Sequence, residues 1–510
     1  MTDAQGAVGR MQPAGTANIA TSQPSAASGA PATSTSTSPS TSTSTSFDAD
    51  ARRALQRITD NLASDLSLDA NPVHFTGDTP ALATPLSLVA ASAAAIAAAA
   101  TSAAARWTRT HGVSQRITVD AMHAACALEP THFQTQHGHR VLQSSHSREL
   151  KSGFYRTRDD RWFIPSGSYP HLRDATLQLL DCPNTVDAIG TAIGRWRAAE
   201  LEQACHEHGV PGVMVRSRDD WLAHAQGQAL AGTPVVVVEK LADGPRVAER
   251  PDRRPLDDIR VLDASHVIAG PVVARSLGEH GAQVLRVSSP TQPDPIPQIL
   301  DTGIGKRNAY LDLRQAHDHA TLIALVRDAD VFVESWRQGS LDRLGLSARH
   351  LAELRPGIIY VSVNAFGFDG PWRDRKGFDQ MAQAATGICH AHARSSTPAL
   401  VPTRLLNDYL TGYLGAAGVM QALALRARDG GSYHVKVSLA RTAMWVQDIG
   451  QRPVGNSVVT LDDLHPPLVA RPSPFGLMHQ IAPAAQLSVT PGGWDLPPAP
   501  LGAHAAVWED

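Results

Sequence analysis

The stretch PLDDIRVLDASHVIAGPVVARSLGEHGAQVLRV, residues 255–287, decides the fold. It opens on a short apolar strand, 259–263, and enters a helix at Gly270-Pro271, where proline suits the first helical position. Gly281 can end that helix in the left-handed conformation, and a second apolar strand follows at 284–287. Beyond it, apolar strands recur at 309–313, 331–334 and 358–363, with helical segments at 316–327 and 348–354 between them. Strands that are apolar along their length and alternate with helices predict a parallel α/β sheet. A Rossmann-like layout is expected. The GxGxxG fingerprint is missing, which points away from a nicotinamide or flavin dehydrogenase.

Upstream, LADGPRVAERPDRRP reads as a Pro- and charge-rich linker, centred on residues 245–254. Before it, residues 151–244 mix strands and helices as a small α+β domain: FYRTRDDRWFIPSG is a hairpin turning at Asp159-Asp160, and helices follow at 170–180 and 186–207. Cys205-His206-Glu207-His208 has metal-ligand residues, but neighbours on one turn cannot converge on a tetrahedral ion, and no second cluster exists. Residues 51–150 are mainly helical, with one β-like run at 115–119. The apolar tract 82–105 is dominated by alanine, which drives membrane insertion weakly, so a packed helix is expected and no membrane partner. Residues 1–46 are mostly Ser, Thr, Ala, Pro and Gly; such a tail buries too little apolar surface to offset its ordering entropy and should be disordered. Residues 448–510 form a C-terminal extension.

Lys+Arg 45 against Asp+Glu 48 gives a net charge of −3, which offers nothing to a nucleic acid. Four scattered cysteines without a framework spacing fit reduced thiols in a cytoplasmic protein. The chain also repeats itself. Residues 105–125 and 423–443 are each an Ala-rich helix end, a Gly turn, a strand and a new helix, with Ser114 on Ser432 and Val119 on Val437.

Five ordered blocks carry a resemblance: 255–287 above, YLDLR (310–314), DADVFVESWRQGSLDRLGL (328–346), LRPGIIYVSVNAFGFDGPWRDRKGFDQMAQAATG (354–387) and NDYLTGYLGAAGVMQAL (407–423). Over residues 255–446 the chain resembles the N-terminal half of the family III CoA-transferases, the group of formyl-CoA and carnitine-CoA transferases and α-methylacyl-CoA racemase. FYRTRDDRWF (154–163) and HGVPGVMVRSRDDWLAH (208–224) resemble the family's smaller domain, which here precedes the sheet half instead of following it. The chain therefore looks like a rearranged or partly duplicated member: a Rossmann-like parallel sheet domain, a smaller α+β domain and an Ala-rich helical segment.

The resemblance implies the rest of the expectations. The catalytic carboxylate falls at Asp408 in LLNDYLTG; a cap of the following helix is the alternative role for an Asp there. Coenzyme A would be a substrate, with no resident cofactor, and would meet Val267, Ile268, Ala269, Leu311, Arg314, Trp336, Arg343 and Lys376. The partners would be an acyl-CoA and a carboxylic acid, and a homodimer is among the assemblies the resemblance allows. Three positions depart from the family pattern: Ser288 stands where Glu is frequent, Ser335 where Asn is, and no Gly-rich loop precedes Phe154. The racemase branch uses a His where this chain has Phe378, which cannot accept a proton, so transfer is favoured. A non-enzymatic scaffold on the same fold is the alternative of a different class. In the repeat, Asp408 aligns near Ala90, in a window without any carboxylate, so one active site per chain is expected. Residues 81–125 should then pack against 408–445, with 153–244 placed over the sheet half.

Overall fold

The computed structural model describes residues 42–62, 70–141, 150, 153–455 and 457–509. Most of the Ser/Thr-rich tract, residues 1–41, lies outside them, and its last five residues begin the helix Ser42–Thr59. The site is carried by a seven-stranded sheet: β1 (Val237–Ala242), β2 (Arg260–Asp263), β3 (Gln283–Ser288), β4 (Lys306–Tyr310), β5 (Val331–Glu334), β6 (Ile359–Asn364) and β7 (Ser432–Ser438). Their spatial order is β4-β3-β2-β5-β6-β7-β1. Strands β2 to β7 are parallel, and β1 is antiparallel on β7. Counted from β2 this is the doubly wound 3-2-1-4-5-6 order. Its direction reverses between β2 and β5, and ligands of such sheets bind outside the carboxyl ends of the strands at that crevice.

Three expected boundaries move. The strand read at 309–313 is Lys306–Tyr310, because the apolar-run criterion passed over Lys306 and Asn308, both buried polar residues. The helix read at 186–207 divides after Gly194 into Val186–Ile193 and Ala198–Glu207. The small-domain piece does not extend to Gly244, since β1 leaves it to pair with β7. The hairpin turns at Asp160, whose φ is 56°. Cys205 and His206 end a helix before Gly209, and no metal-binding cluster occurs among the described residues.

Four helices matter for the site: α1 (Leu88–His111), α2 (Ala269–Glu279), α3 (Asp379–Thr386) and α4 (Asn407–Asp429). α4 packs on both α1 and α2. Close approach to α2 and to the sheet depends on glycines: a Cβ on Gly412 would stand 2.4 Å from Val272, one on Gly415 2.7 Å from Val273, and one on Gly418 2.7 Å from Val236 and Val435. Such overpacking would force the helix off the sheet. α1 is long and apolar enough to cross a membrane by length and composition, yet it is buried in the protein on all faces from Leu88 to Arg106. Alanine makes this possible, since its small side chain lets backbones pack closely at no rotamer cost.

The repeat is visible in space. α1 ends at Gly112 and α4 at Gly430, both with φ 68°; each then gives a strand (Ile117–Asp120 or β7) and a helix (Ala121–Cys126 or Leu439–Ile449). The strands diverge. β7 joins the large sheet, whereas Ile117–Asp120 lies between Val73–Thr76 and Ala485–Leu487. The C-terminal residues thus return to the N-terminal piece, and Gly476–Ile481 also pairs with Thr135–Gln136. Residues Thr41–Asp510 form one compact unit. The small-domain residues dock on the sheet half as expected. Arg216 N–H donates to Ala384 O, and the Gln226 amide donates to Phe366 O and Asp369 O while accepting from Trp372 N–H.

Candidate active site

Asp408 is the second residue of α4 and is 6% exposed. The capping role is taken by another residue. Leu406, at the N-cap, gives no side-chain cap, and Asp379 at the start of α3 supplies it from 29 residues away. Asp379 Oδ2 accepts from Leu406 N–H at 3.0 Å and Asp408 N–H at 2.9 Å, and the carboxyl also accepts from Asn407 N–H. Gln383, one turn along α3, donates to Asp379 and to Arg404 O and accepts from Val401 N–H, so the loop entering α4 is fixed. The Asp408 carboxyl is left with no hydrogen bond among the described residues.

Its electrostatics are those of a crowded carboxyl site. Burial lifts the Asp408 carboxyl well above the usual carboxylate range, and Asp379 and Glu129 add like-charge repulsion. The helix N-terminus favours the anion but does not outweigh these effects. Burial also raises Asp379, against the N–H groups it accepts from. Glu129 belongs to the N-terminal piece and is 7% exposed. Burial first, then Asp301 and Asp379, push it up to about 7, against Thr131 and Arg404. Beneath α4, Arg275 of α2 pairs with Asp301 at 2.6 Å, and Tyr409 donates to the same carboxylate at 2.9 Å.

A pH-resolved melt tests Glu129. Its folded-state value of about 7 lies above the ordinary 4.5, so ionising it costs stability as pH rises through that window, fully above it. Glu129→Gln should therefore raise the melting temperature at pH 8 and change it little at pH 5. Equal shifts at both pH values would show that Glu129 is not held neutral by the fold.

The residues expected to meet CoA divide into two sets. Val267, Ile268, Ala269 and Trp336 come together at the switch point. Ser335, after β5, grips the turn after β2: its hydroxyl accepts from His266 N–H at 2.9 Å and donates to His266 O at 3.0 Å. The Trp336 indole lies under the His266 ring, centroids 4.1 Å apart, and its Nε1–H donates to Ala264 O. Serine at 335 is thus a clasp across the crevice. Lys376 is half-buried, its amine lowered by burial and by Arg337, and stands by Gly209 and His171 of the small-domain residues. Leu311 and Arg314 follow β4, at the edge of the sheet. Arg314 is exposed and closed on Asp312 by two bonds of 2.8 Å, which leaves it committed to its own loop. Arg343 is exposed on the turn Asp342–Leu344. The Ser288 hydroxyl ends β3 buried and without a hydrogen-bond partner among the described residues.

Four residues escaped the sequence: Asp379, Glu129, Asp294 and Tyr169. Asp before a helix reads as a cap of its own helix, and nothing local shows that Asp379 caps a different one. Glu129 is brought in by the packing of α1 on α4. Tyr169 stacks on Phe378, centroids 6.0 Å apart at 21°, and Asp408 is among the charges acting on its phenol. The small-domain residues therefore form a wall of the Asp408 site.

The chain is thus a doubly wound α/β protein whose Asp408 carboxyl, buried and without a hydrogen bond among the described residues, is its candidate nucleophile. The model of CoA-transferase family III matches residues 70–251 and 256–451, and the chain belongs to that family. It is 32% identical to the acetyl-coenzyme A transferase nodX of Hypoxylon pulicicidum, over 62% of this chain and 58% of that protein. It is 31% identical to the succinyl-CoA–L-malate CoA-transferase alpha subunit of Chloroflexus aurantiacus, over 39% of this chain and 49% of that subunit. Among solved structures, a CAIB/BAIF family protein from Brucella suis is 27% identical over 38% of this chain and 55% of that one, with a TM-score of 0.34. The chain spans about half the length of the curated relatives it matches.

Proposed function

We propose that the chain transfers CoA from an acyl-CoA thioester to a free carboxylic acid, with Asp408 as nucleophile. The observation that carries this is the Asp408 carboxyl itself, buried, without a hydrogen bond among the described residues and relieved of capping by Asp379. The Asp408 carboxylate attacks the thioester carbonyl, the C–S bond breaks, and an acyl–aspartyl anhydride and CoA thiolate form. The thiolate attacks the aspartyl carbonyl and expels the first acid, leaving aspartyl-CoA. The acceptor carboxylate then attacks that thioester, and the thiolate returns to the acyl group of the new anhydride. From the ionised carboxylate onward every bond broken is matched by one formed, and the proton that burial favours on Asp408 leaves to solvent before the attack. Burial supports the scheme by keeping water from the anhydride.

The switch-point turn at Val267 to Ala269 and the Lys376 ammonium are the groups best suited to a CoA chain and its phosphates. Phe378 favours transfer over racemisation, because no base stands there. The four described cysteines are unpaired, which is compatible with the cytoplasmic setting we propose. Names among the relatives include acetyl-CoA and succinyl-CoA transferases, so short acyl-CoA donors are the first to test.

The test is a mass-spectrometric screen for CoA exchange from a panel of acyl-CoAs to free acids, with hydroxylamine trapping. One adduct per chain at Asp408 is expected. CoA binding without exchange for any donor would favour the scaffold alternative, and rapid α-deuteration of a 2-methylacyl-CoA would favour a racemase.

A further inference from the structure

Val267 has φ 65°, in the left-handed region. For a β-branched residue this is strained, and such strain persists only where neighbours over-determine it. Ser335 holds the preceding residue from one side, as described. From the other side, Asp294 Oδ1 accepts Val267 N–H at 3.1 Å. The same oxygen accepts the Tyr169 hydroxyl at 2.9 Å, and Oδ2 pairs with Arg286. Asp294 and Arg286 are both buried, with 4% and 1% of their side chains exposed. Tyr169 leads into the helix Pro170–Leu180 of the small-domain residues. Its hydroxyl is thus a polar link from that wall of the site to the turn at the crevice.

Resting on the CoA-transfer reading, we propose that Asp294 and Tyr169 are positioning residues: the Tyr169 hydroxyl orients the Asp294 carboxylate, which latches the Val267 turn in the shape that receives CoA. Two donors on one oxygen and a guanidinium on the other leave the carboxylate a single orientation. Loss of the hydroxyl alone frees it to rotate toward Arg286 and loosens the Val267 N–H.

Four proteins test this: the wild type, Tyr169→Phe, Val267→Gly and the double variant, all as the full chain. Phenylalanine keeps the ring stacked on Phe378, and glycine adopts positive φ without strain, so it needs no latch. Two quantities are read: hydrogen exchange of the peptide covering 264–271 without ligand, and binding of free CoA by calorimetry. Tyr169→Phe should speed exchange of that peptide and weaken CoA binding, each by about 5–10-fold, the size of one ordinary hydrogen bond. On the Val267→Gly background the same change should alter CoA binding by less than about 2-fold, a non-additivity that marks the two residues as coupled. Unchanged exchange in Tyr169→Phe, or an equal loss of affinity on both backgrounds, would overturn the latch. Faster exchange with unchanged CoA affinity would uphold the latch and place CoA elsewhere, which would overturn its role in binding. If no variant binds CoA, the exchange arm still decides the latch, and the functional reading fails separately.

Discussion

Asp408→Asn is expected to abolish CoA exchange and to make the protein more stable. The amide is a poor nucleophile, so the covalent route closes, and the rate should fall by at least about 10³-fold, as when other enzymes lose a nucleophile. Stability should move the other way. The wild-type carboxyl is buried, repelled by Asp379 and Glu129 and raised in consequence, so its ionisation opposes folding once pH exceeds the ordinary carboxylate range. An isosteric amide removes that penalty, for a gain of about 1–2 kcal/mol near pH 8 that fades toward pH 4. Exchange assays alongside urea melts at two pH values check both halves. Full exchange in the variant would put the nucleophile elsewhere, and a loss of stability at pH 8 would show that the carboxyl contributes to the fold.

The second large effect belongs to Lys306→Met. Lys306 and Asp263 are both 0% exposed; the ammonium donates to Asp263 Oδ2 and to Pro271 O, at 2.7 Å each. The pair lies below the turn that joins β2 to α2. Burial lowers the lysine to about 8, against the pull of Asp263, so the charge is held by its partner. Removing the lysine alone leaves a buried carboxylate with Ser265 as its remaining side-chain hydrogen-bond partner among the described residues. The expected loss is about 3–5 kcal/mol by urea melt. Asp263→Leu with Lys306→Met removes both charges and should recover most of it. A single variant within about 1 kcal/mol of wild type would show that water or a rearrangement compensates the carboxylate.

The sheet is legible because its strands are apolar along their length: 331–334 matches to the residue, and Gly281 stops α2 by local backbone chemistry, whereas α2 opens at Ala269, which makes Pro271 its third residue and not its first. The apolar run places β4 three residues late because Lys306 and Asn308 are polar and their side-chain partners, Asp263 and Ala499, are distant in sequence. That Asp408 stands at the start of a helix is readable from its motif. Its freedom from capping was not, because that depends on Asp379 reaching across from α3. Glu129 and Asp294 were silent for the same reason: an acid before a proline, or in an exposed-looking TQPDP loop, has no local pattern that reveals what it will face. The repeat at 105–125 and 423–443 was readable, and the contact of α1 with α4 agrees with it. Where each repeat's strand pairs was beyond local patterns, since register depends on the rest of the sheet.

The two copies of that helix–strand–helix unit differ in one further respect. In a symmetric assembly of identical subunits, every substitution appears at each equivalent position at once. Here the copies are separate stretches of one polypeptide, so a change in α1 leaves α4 untouched. The first copy's helix α1 has no carboxylate and packs its alanines on α4, and the chain that follows it brings Glu129 to the Asp408 carboxyl. A substitution can therefore tune the supporting copy while the Asp408 copy stays as it is.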